Sequence, residues 1–279
     1  MKIVFVHGIH QDGKNPQALK QEWICALNSG CGAIGKPLRI QASDVTMPFY
    51  GDILIKNIPD QKSTRGALNS KTGFELFSER ILAEMSNYDL PDLIKSRERG
   101  KGIHKKSLKV AARIVETVSP LRGTIALRFL KQAYSYLMHQ NCMSAVDEVV
   151  RPHLSSQEPL IIISHSLGTI VSYRMMLELQ KSGKLGSVPL FVTMGSPLSL
   201  KLVRSRIDLA PQPLPSVEKW LNVTDREDFI ALGNSLDGNY FQMQIENDLS
   251  LENGYSDPHS FEKYISSSAV CKKLTDVLR

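Results

Sequence analysis

An apolar run that leads directly into a serine-centred turn constrains this fold more than any other feature. Residues 159–169 read PLIIISHSLGT, which predicts a buried strand ending at Ser164 and a helix beginning after Ser166. The turn is so sharp that the positions two before and two after Ser166 must be small, and they are Ser164 and Gly168. Such a turn lifts the serine hydroxyl clear of the sheet and places it at a helix N-terminus, where free N–H groups can stabilise an oxyanion. A plain helix start capped by Ser164 is the weaker alternative.

The rest of the chain alternates between apolar runs and helical spacing. This alternation predicts an α/β fold with a mainly parallel sheet flanked by helices. Ligands of such sheets bind beyond the carboxyl ends of the strands, where the candidate polar residues also fall. We predict strands at 2–6, 38–42, 160–164, 189–194, 220–224 and 241–245, and helices at 15–27 and 167–179.

Residues 53–145 have a different character, with few strand signals. We interpret them as a helical insertion or lid within a single domain that spans 1–279. Helices are predicted at 74–85, 107–118 and 121–139, and a polar loop at 97–102.

The positive charge of the chain is concentrated within this insertion. The net charge is +6, and residues 95–113 hold eight Lys or Arg and one acid. This basic segment could favour an anionic, lipid-like substrate or peripheral contact with a membrane, although a solvated helix face is the simpler interpretation. Nucleic-acid binding is not expected, because no recognised binding motif accompanies the charge.

Composition is ordinary for a soluble globular protein, with 42% hydrophobic and 22% charged residues. The N-terminus MKIVFVHG does not resemble a secretory signal, and no run reaches the roughly 18 apolar residues that span a bilayer. The four cysteines lack paired spacing, which favours free thiols over a metal site or a disulfide framework. We therefore expect a cytoplasmic protein.

A nucleophilic serine needs a base and a carboxylate to orient that base. Of the seven histidines, only His259 follows Ser166, in a loop after the last predicted strand. The carboxylate should follow a strand between these two residues, and the segment WLNVTDREDFIA offers three acids. Asp228, one short loop beyond the strand, is favoured over Asp225, for which a capping role is the alternative; Glu227 ranks third.

The end of the first strand offers the other half of an oxyanion hole. Here His7-Gly8 follows an apolar run, and Gly8 permits close approach of the backbone. We expect the N–H of Ile9 to point at the substrate oxygen beside the N–H of Leu167.

In this order, the motifs HGI, ISHSLGTIVSY, VTMGSP, WLNVTDREDFIA and DPHS resemble those of the α/β-hydrolase superfamily, in its lipase/esterase branch. The resemblance covers residues 1–50 and 146–275. In relatives the fourth segment often reads D-P-V-A and begins with the acid of the triad; Asp228 begins DFIA here, without the proline.

The resemblance implies two-step acyl transfer on an ester or thioester, with a small-molecule or lipid-like substrate and no cofactor or metal. Two alternatives stay open: a binding or signalling module that keeps the fold without turnover, and a lipase-like toxin or immune effector controlled through the insertion. The sequence does not indicate an oligomeric state.

Overall fold

A six-stranded parallel sheet forms the centre of the protein. The computed structural model describes residues 1–56, 73–86, 120–207, 212–254 and 257–278. The strands are β1 (Lys2–Val6), β2 (Val45–Thr46), β3 (Leu160–His165), β4 (Leu190–Met194), β5 (Trp220–Asp225) and β6 (Glu246–Leu251). Their order is β2-β1-β3-β4-β5-β6, and every neighbouring pair is parallel. The predicted α/β fold with a parallel sheet is therefore confirmed.

Helices connect and flank these strands. Within the described ranges they are α1 (Pro16–Ala33), α2 (Gly51–Lys56), α3 (Gly73–Ser86), α4 (Pro120–Met138), α5 (Gln140–Leu154), α6 (Leu167–Lys181), α7 (Lys201–Ser205), α8 (Gly238–Phe241), α9 (Phe261–Ile265) and α10 (Ser268–Leu278). None of the helices in these ranges is long and apolar enough to cross a membrane.

The core lies on both faces of the sheet. Ile161 and Ile163 of β3 pack with Trp23 of α1 in one apolar cluster, which also contains residues of α9 and α10. Leu160 and Ile162 face the opposite cluster, which includes the buried side of α6. Burial on both faces explains why β3 reads as a continuous apolar run instead of an alternating one.

Part of the predicted insertion is packed into the second of these clusters. Phe77 and Ile81 of α3 and Phe129 and Ala133 of α4 are all buried there. The helices predicted at 74–85 and 121–139 are found as α3 and α4. The predicted helix 107–118, the loop 97–102 and the basic segment 95–113 lie outside the described residues.

The prediction of a strand at 38–42 is wrong. Both backbone groups of Ile40 are bonded to the side chain of Asn28 on α1, which donates to the carbonyl at 2.9 Å and accepts from the N–H at 3.1 Å. The N–H of Ile3 on β1 instead donates to the carbonyl of Asp44 at 3.0 Å. Because Ile40 is held by a side chain, strand pairing begins only at β2.

The strand predicted at 241–245 is also displaced. Phe241 ends α8, whose first turn is capped by the side chain of Asp237, and Gln242 has a left-handed φ of 54°. A left-handed residue interrupts extended backbone, so pairing with β5 begins only at β6, where the Asn222 side-chain amide donates to Asn247 Oδ1 at 3.0 Å. The alternating apolar residues of this stretch pack against the core without forming a strand.

Candidate active site

The residues predicted to form a site all follow the carboxyl ends of parallel strands. Gly8 follows β1, Ser166 follows β3, Asp228 follows β5, and His259 lies in the loop between β6 and α9. All four are buried. The sheet order puts β1, β3, β4 and β5 side by side, so these loops meet at one edge of the sheet.

Ser166 occupies a strained turn between β3 and α6. Its φ and ψ are 55° and −129°, which residues with a side chain rarely adopt. Such a conformation costs about 1–3 kcal/mol and persists only where neighbouring contacts enforce it. Here the carbonyl of Ser166 accepts from the Thr169 N–H at 3.0 Å and from the Thr169 hydroxyl at 2.7 Å. The N–H of Ser166 donates to the Met194 carbonyl of β4 at 3.0 Å.

The small residues around this turn are required by close contacts. A Cβ at Gly168 would lie 2.3 Å from the carbonyl oxygen of Val6, and one at Gly8 would lie 2.6 Å from Ser166 Cβ. Ser164 is tolerated, because its buried hydroxyl donates to the carbonyl of Val192 at 3.0 Å. The serine at position 164 therefore leaves no buried hydroxyl without a partner.

A buried His–Asp pair lies on the neighbouring loops. His259 Nδ1 is 2.7 Å from Asp228 Oδ2, and the hydroxyl of Tyr264 donates to the same oxygen at 2.7 Å. Asp228 Oδ1 accepts from the N–H groups of Ile230, at 2.9 Å, and Ala231, at 3.4 Å. These donors offset the loss of hydration of a carboxylate that is completely buried.

Asp225 has a different set of partners. Its Oδ1 accepts from the Glu227 N–H at 2.7 Å, and its Oδ2 accepts from the N–H of Asn253. Among the described residues, His259 Nδ1 bonds to Asp228 and to neither Asp225 nor Glu227. Both oxygens of Asp225 thus accept from backbone N–H groups of its own loop and of a neighbouring one, and not from the imidazole.

The Ser166 hydroxyl and His259 Nε2 are both buried, and neither has a hydrogen-bond partner in the described part of the chain. A direct Ser–His bond is therefore not formed. His165, the neighbour of Ser166 in the sequence, has its ring centroid 4.5 Å from that of His259, so the turn at Ser166 and the loop of His259 lie close together. Catalytic Ser–His contacts are often loose until a substrate tightens them.

The loop after β1 is held by bonds to three successive carbonyls. The Tyr50 hydroxyl donates to the carbonyl of His7, and the Gln11 side chain donates to that of Ile9 at 2.8 Å. The third carbonyl, that of Gly8, bonds to the His7 ring. Because Nε2 of this ring accepts from the Tyr50 N–H at 3.2 Å, the ring proton is on Nδ1, which donates to the Gly8 carbonyl at 2.9 Å. The Ile9 N–H bonds to none of the described residues.

The N–H of Leu167 is the first of α6, where no acceptor exists within the helix. It too bonds to none of the described residues. The two amides that were predicted to stabilise an oxyanion thus both lack an acceptor among the described residues.

Three further histidines near the site are held neutral. Burial is the main cause that lowers the pKa of His7 to about 4, and burial followed by the charge of Arg128 on α4 lowers that of His10 to about 4. Burial, and then the charge of His259, lowers the pKa of His165 well below its usual range. Near neutral pH, these rings add no positive charge beside His259.

The sequence assigned no role in the site to two further residues. Gly195 follows β4 with a φ of 54°, and a Cβ there would lie 2.9 Å from Asp228 Oδ2 and 3.0 Å from His259 Cε1. Tyr264 lies on α9 and reads as an ordinary apolar helix position. Only the packing of α9 against the end of β5 reveals its contact with Asp228.

In comparison with known proteins, neither a protein-family model nor a curated protein matches this chain. Within the described residues, no group of three or more His, Cys, Asp or Glu side chains could hold a metal ion. The described residues thus bring together a strained serine, a buried His–Asp pair and two amides without an acceptor among those residues.

Proposed function

We propose that this protein is a serine hydrolase of the α/β-hydrolase type that cleaves an ester or thioester through an acyl-enzyme. The observation that carries the proposal is the strained Ser166, whose hydroxyl has no partner among the described residues, near His259, which is bonded to the buried Asp228 at 2.7 Å. The chain order Ser–Asp–His is the one that triads of α/β-hydrolases follow.

The first half of the reaction forms the acyl-enzyme. The hydroxyl of Ser166 attacks the substrate carbonyl as His259 Nε2 takes its proton, and Asp228 stabilises the imidazolium. The N–H groups of Ile9 and Leu167 stabilise the oxyanion; loss of one such donor typically costs about 2.7–4 kcal/mol in the barrier. The imidazolium then protonates the departing alcohol or thiol as its bond to the carbonyl carbon breaks.

The second half releases the acid. Water gives a proton to His259 and attacks the acyl carbon, and the proton returns to Ser166 as the acyl bond breaks. The enzyme ends in its starting state, and every proton is accounted for by groups of the chain and by water.

Hydrolysis of nitrophenyl esters and acyl thioesters of increasing chain length tests this proposal. We expect turnover by the wild type and a loss of at least about a thousandfold in Ser166→Ala. The matched control is Ser172→Ala, which removes another buried hydroxyl of the same segment, already donated to the Gly168 carbonyl at 2.7 Å. Hydrolysis by Ser166→Ala at the wild-type rate would contradict the proposal.

A further inference from the structure

The hydroxyl of Tyr264 joins the two acidic residues that follow β5. It accepts a hydrogen bond from the N–H of Asp225 at 2.9 Å and donates to Asp228 Oδ2 at 2.7 Å. The Asp225 N–H donates to the hydroxyl oxygen and Asp228 Oδ2 can only accept, so the phenolic proton points at Asp228. The side chain of Tyr264 is completely buried, so water cannot replace this donor.

The acceptor oxygen is the one that also faces His259. Asp228 Oδ2 lies 2.7 Å from His259 Nδ1, whereas the backbone donors of Ile230 and Ala231 reach only Oδ1. Tyr264 is therefore the one donor among the described residues that competes directly with the imidazole for charge on Oδ2. Burial, and then the charge of Asp228, raises the pKa of Tyr264 well above its usual range, so the hydroxyl stays protonated.

The same helix connects this hydroxyl to the loop that carries the base. Lys263, beside Tyr264 on α9, donates to the carbonyl of Asn253, and the Asn253 side chain donates to the Pro258 carbonyl at 2.8 Å. Pro258 directly precedes His259. Thus α9 contacts Asp228 through Tyr264, and it contacts the loop that carries His259 through Lys263 and Asn253.

We propose that Tyr264 is a positioning residue of the triad, which fixes Asp228 and limits the negative charge that Oδ2 presents to His259. This inference rests on the proposed serine hydrolase function. Besides Asp228, the titratable groups of the described residues that interact with His259 are His165, whose ring centroid is 4.5 Å away, His10, and Asp257, whose carboxylate accepts a hydrogen bond from the His259 backbone. His165 and Asp225 also face Tyr264.

The expected change in the pH profile follows from the oxygen Asp228 Oδ2, which His259 and Tyr264 share. Removal of the Tyr264 hydroxyl leaves more charge on Oδ2, which binds the protonated imidazole more strongly. Because the reaction needs His259 neutral, the acidic limb of the kcat/KM profile should move to higher pH in Tyr264→Phe. Loss of a hydrogen bond to a charged group should also lower the kcat/KM plateau about tenfold.

The matched control is Tyr173→Phe, because the Tyr173 hydroxyl is buried and bonds to no described residue. We expect that variant to keep both the limb and the plateau of the wild type. Incorporation of 3-fluorotyrosine at position 264 keeps the hydroxyl as a stronger donor and should shift the limb to lower pH. An unchanged limb in both altered proteins, or a shift in the reverse sense, would overturn the inference.

A measurement without turnover separates this inference from the proposed function. The Nδ1 proton of His259 should give a downfield NMR resonance, which moves further downfield in Tyr264→Phe as the bond to Asp228 strengthens. That shift in a protein that hydrolyses no ester would support Tyr264 while refuting the hydrolase. An unmoved resonance in an active enzyme would refute the role of Tyr264 alone.

Discussion

At the scale of single residues, the site separates two carboxylates that the sequence left as alternatives. The oxygens of Asp228 form hydrogen bonds with His259, Tyr264 and two backbone amides. The oxygens of Asp225 accept hydrogen bonds from the N–H groups of Glu227 and Asn253. Their spacing in sequence is too short for a pattern to distinguish them, because the direction of each side chain depends on how the loop after β5 turns.

Amide variants should separate the two roles. In Asp228→Asn we expect kcat/KM to fall by about 10⁴, because an amide no longer holds the imidazole in the required tautomer or stabilises its protonated form. In Asp225→Asn one of two backbone donors would face an amide NH2. That variant should lose about 1–3 kcal/mol in the free energy of unfolding, while its kcat/KM falls far less.

Chemical denaturation and ester hydrolysis, measured on both variants, test this separation. Wild-type kinetics in Asp228→Asn would show that the acid of the triad is another residue.

At the scale of elements, α3 is tied to the segment that follows β4. The carboxylate of Glu84 accepts from the N–H groups of Lys201 and Leu202, at 2.6 and 2.7 Å, and so caps the first turn of α7 from another helix. The same segment begins at Gly195, against the His–Asp pair. A helix from the predicted insertion is thus bonded to a loop that borders the candidate site.

Removal of this cap should loosen α7 from α3. In Glu84→Ala we expect faster hydrogen exchange at the Lys201 and Leu202 amides and a loss of about 1–2 kcal/mol in the free energy of unfolding. Arg80→Ala is the control, since Arg80 is an exposed residue of the same helix. Equal exchange rates in the Glu84 and Arg80 variants would show that the carboxylate does not hold α7.

At the scale of the whole molecule, the parallel core was predictable because β3 and β4 are mostly apolar runs, and every residue of β3, β4 and β5 is buried. The bounds of the two edge strands, β2 and β6, were not predictable from such a pattern. The backbone of Ile40 is held by the distant Asn28, and the break at Gln242 depends on local backbone conformation. Ser166 and His259 could be chosen from chain order, whereas Gly195 and Tyr264 depend on contacts between segments far apart in sequence.

Intact-mass labelling with a fluorophosphonate probe tests the central claim most directly, because the probe reacts with activated serines without any knowledge of the substrate. The account predicts one adduct on the wild type, located at Ser166 by peptide mapping, the same adduct on Ser172→Ala and none on Ser166→Ala. An unlabelled wild type in folded protein, or equal labelling of Ser166→Ala, would contradict the claim and favour a binding module that keeps the fold without turnover.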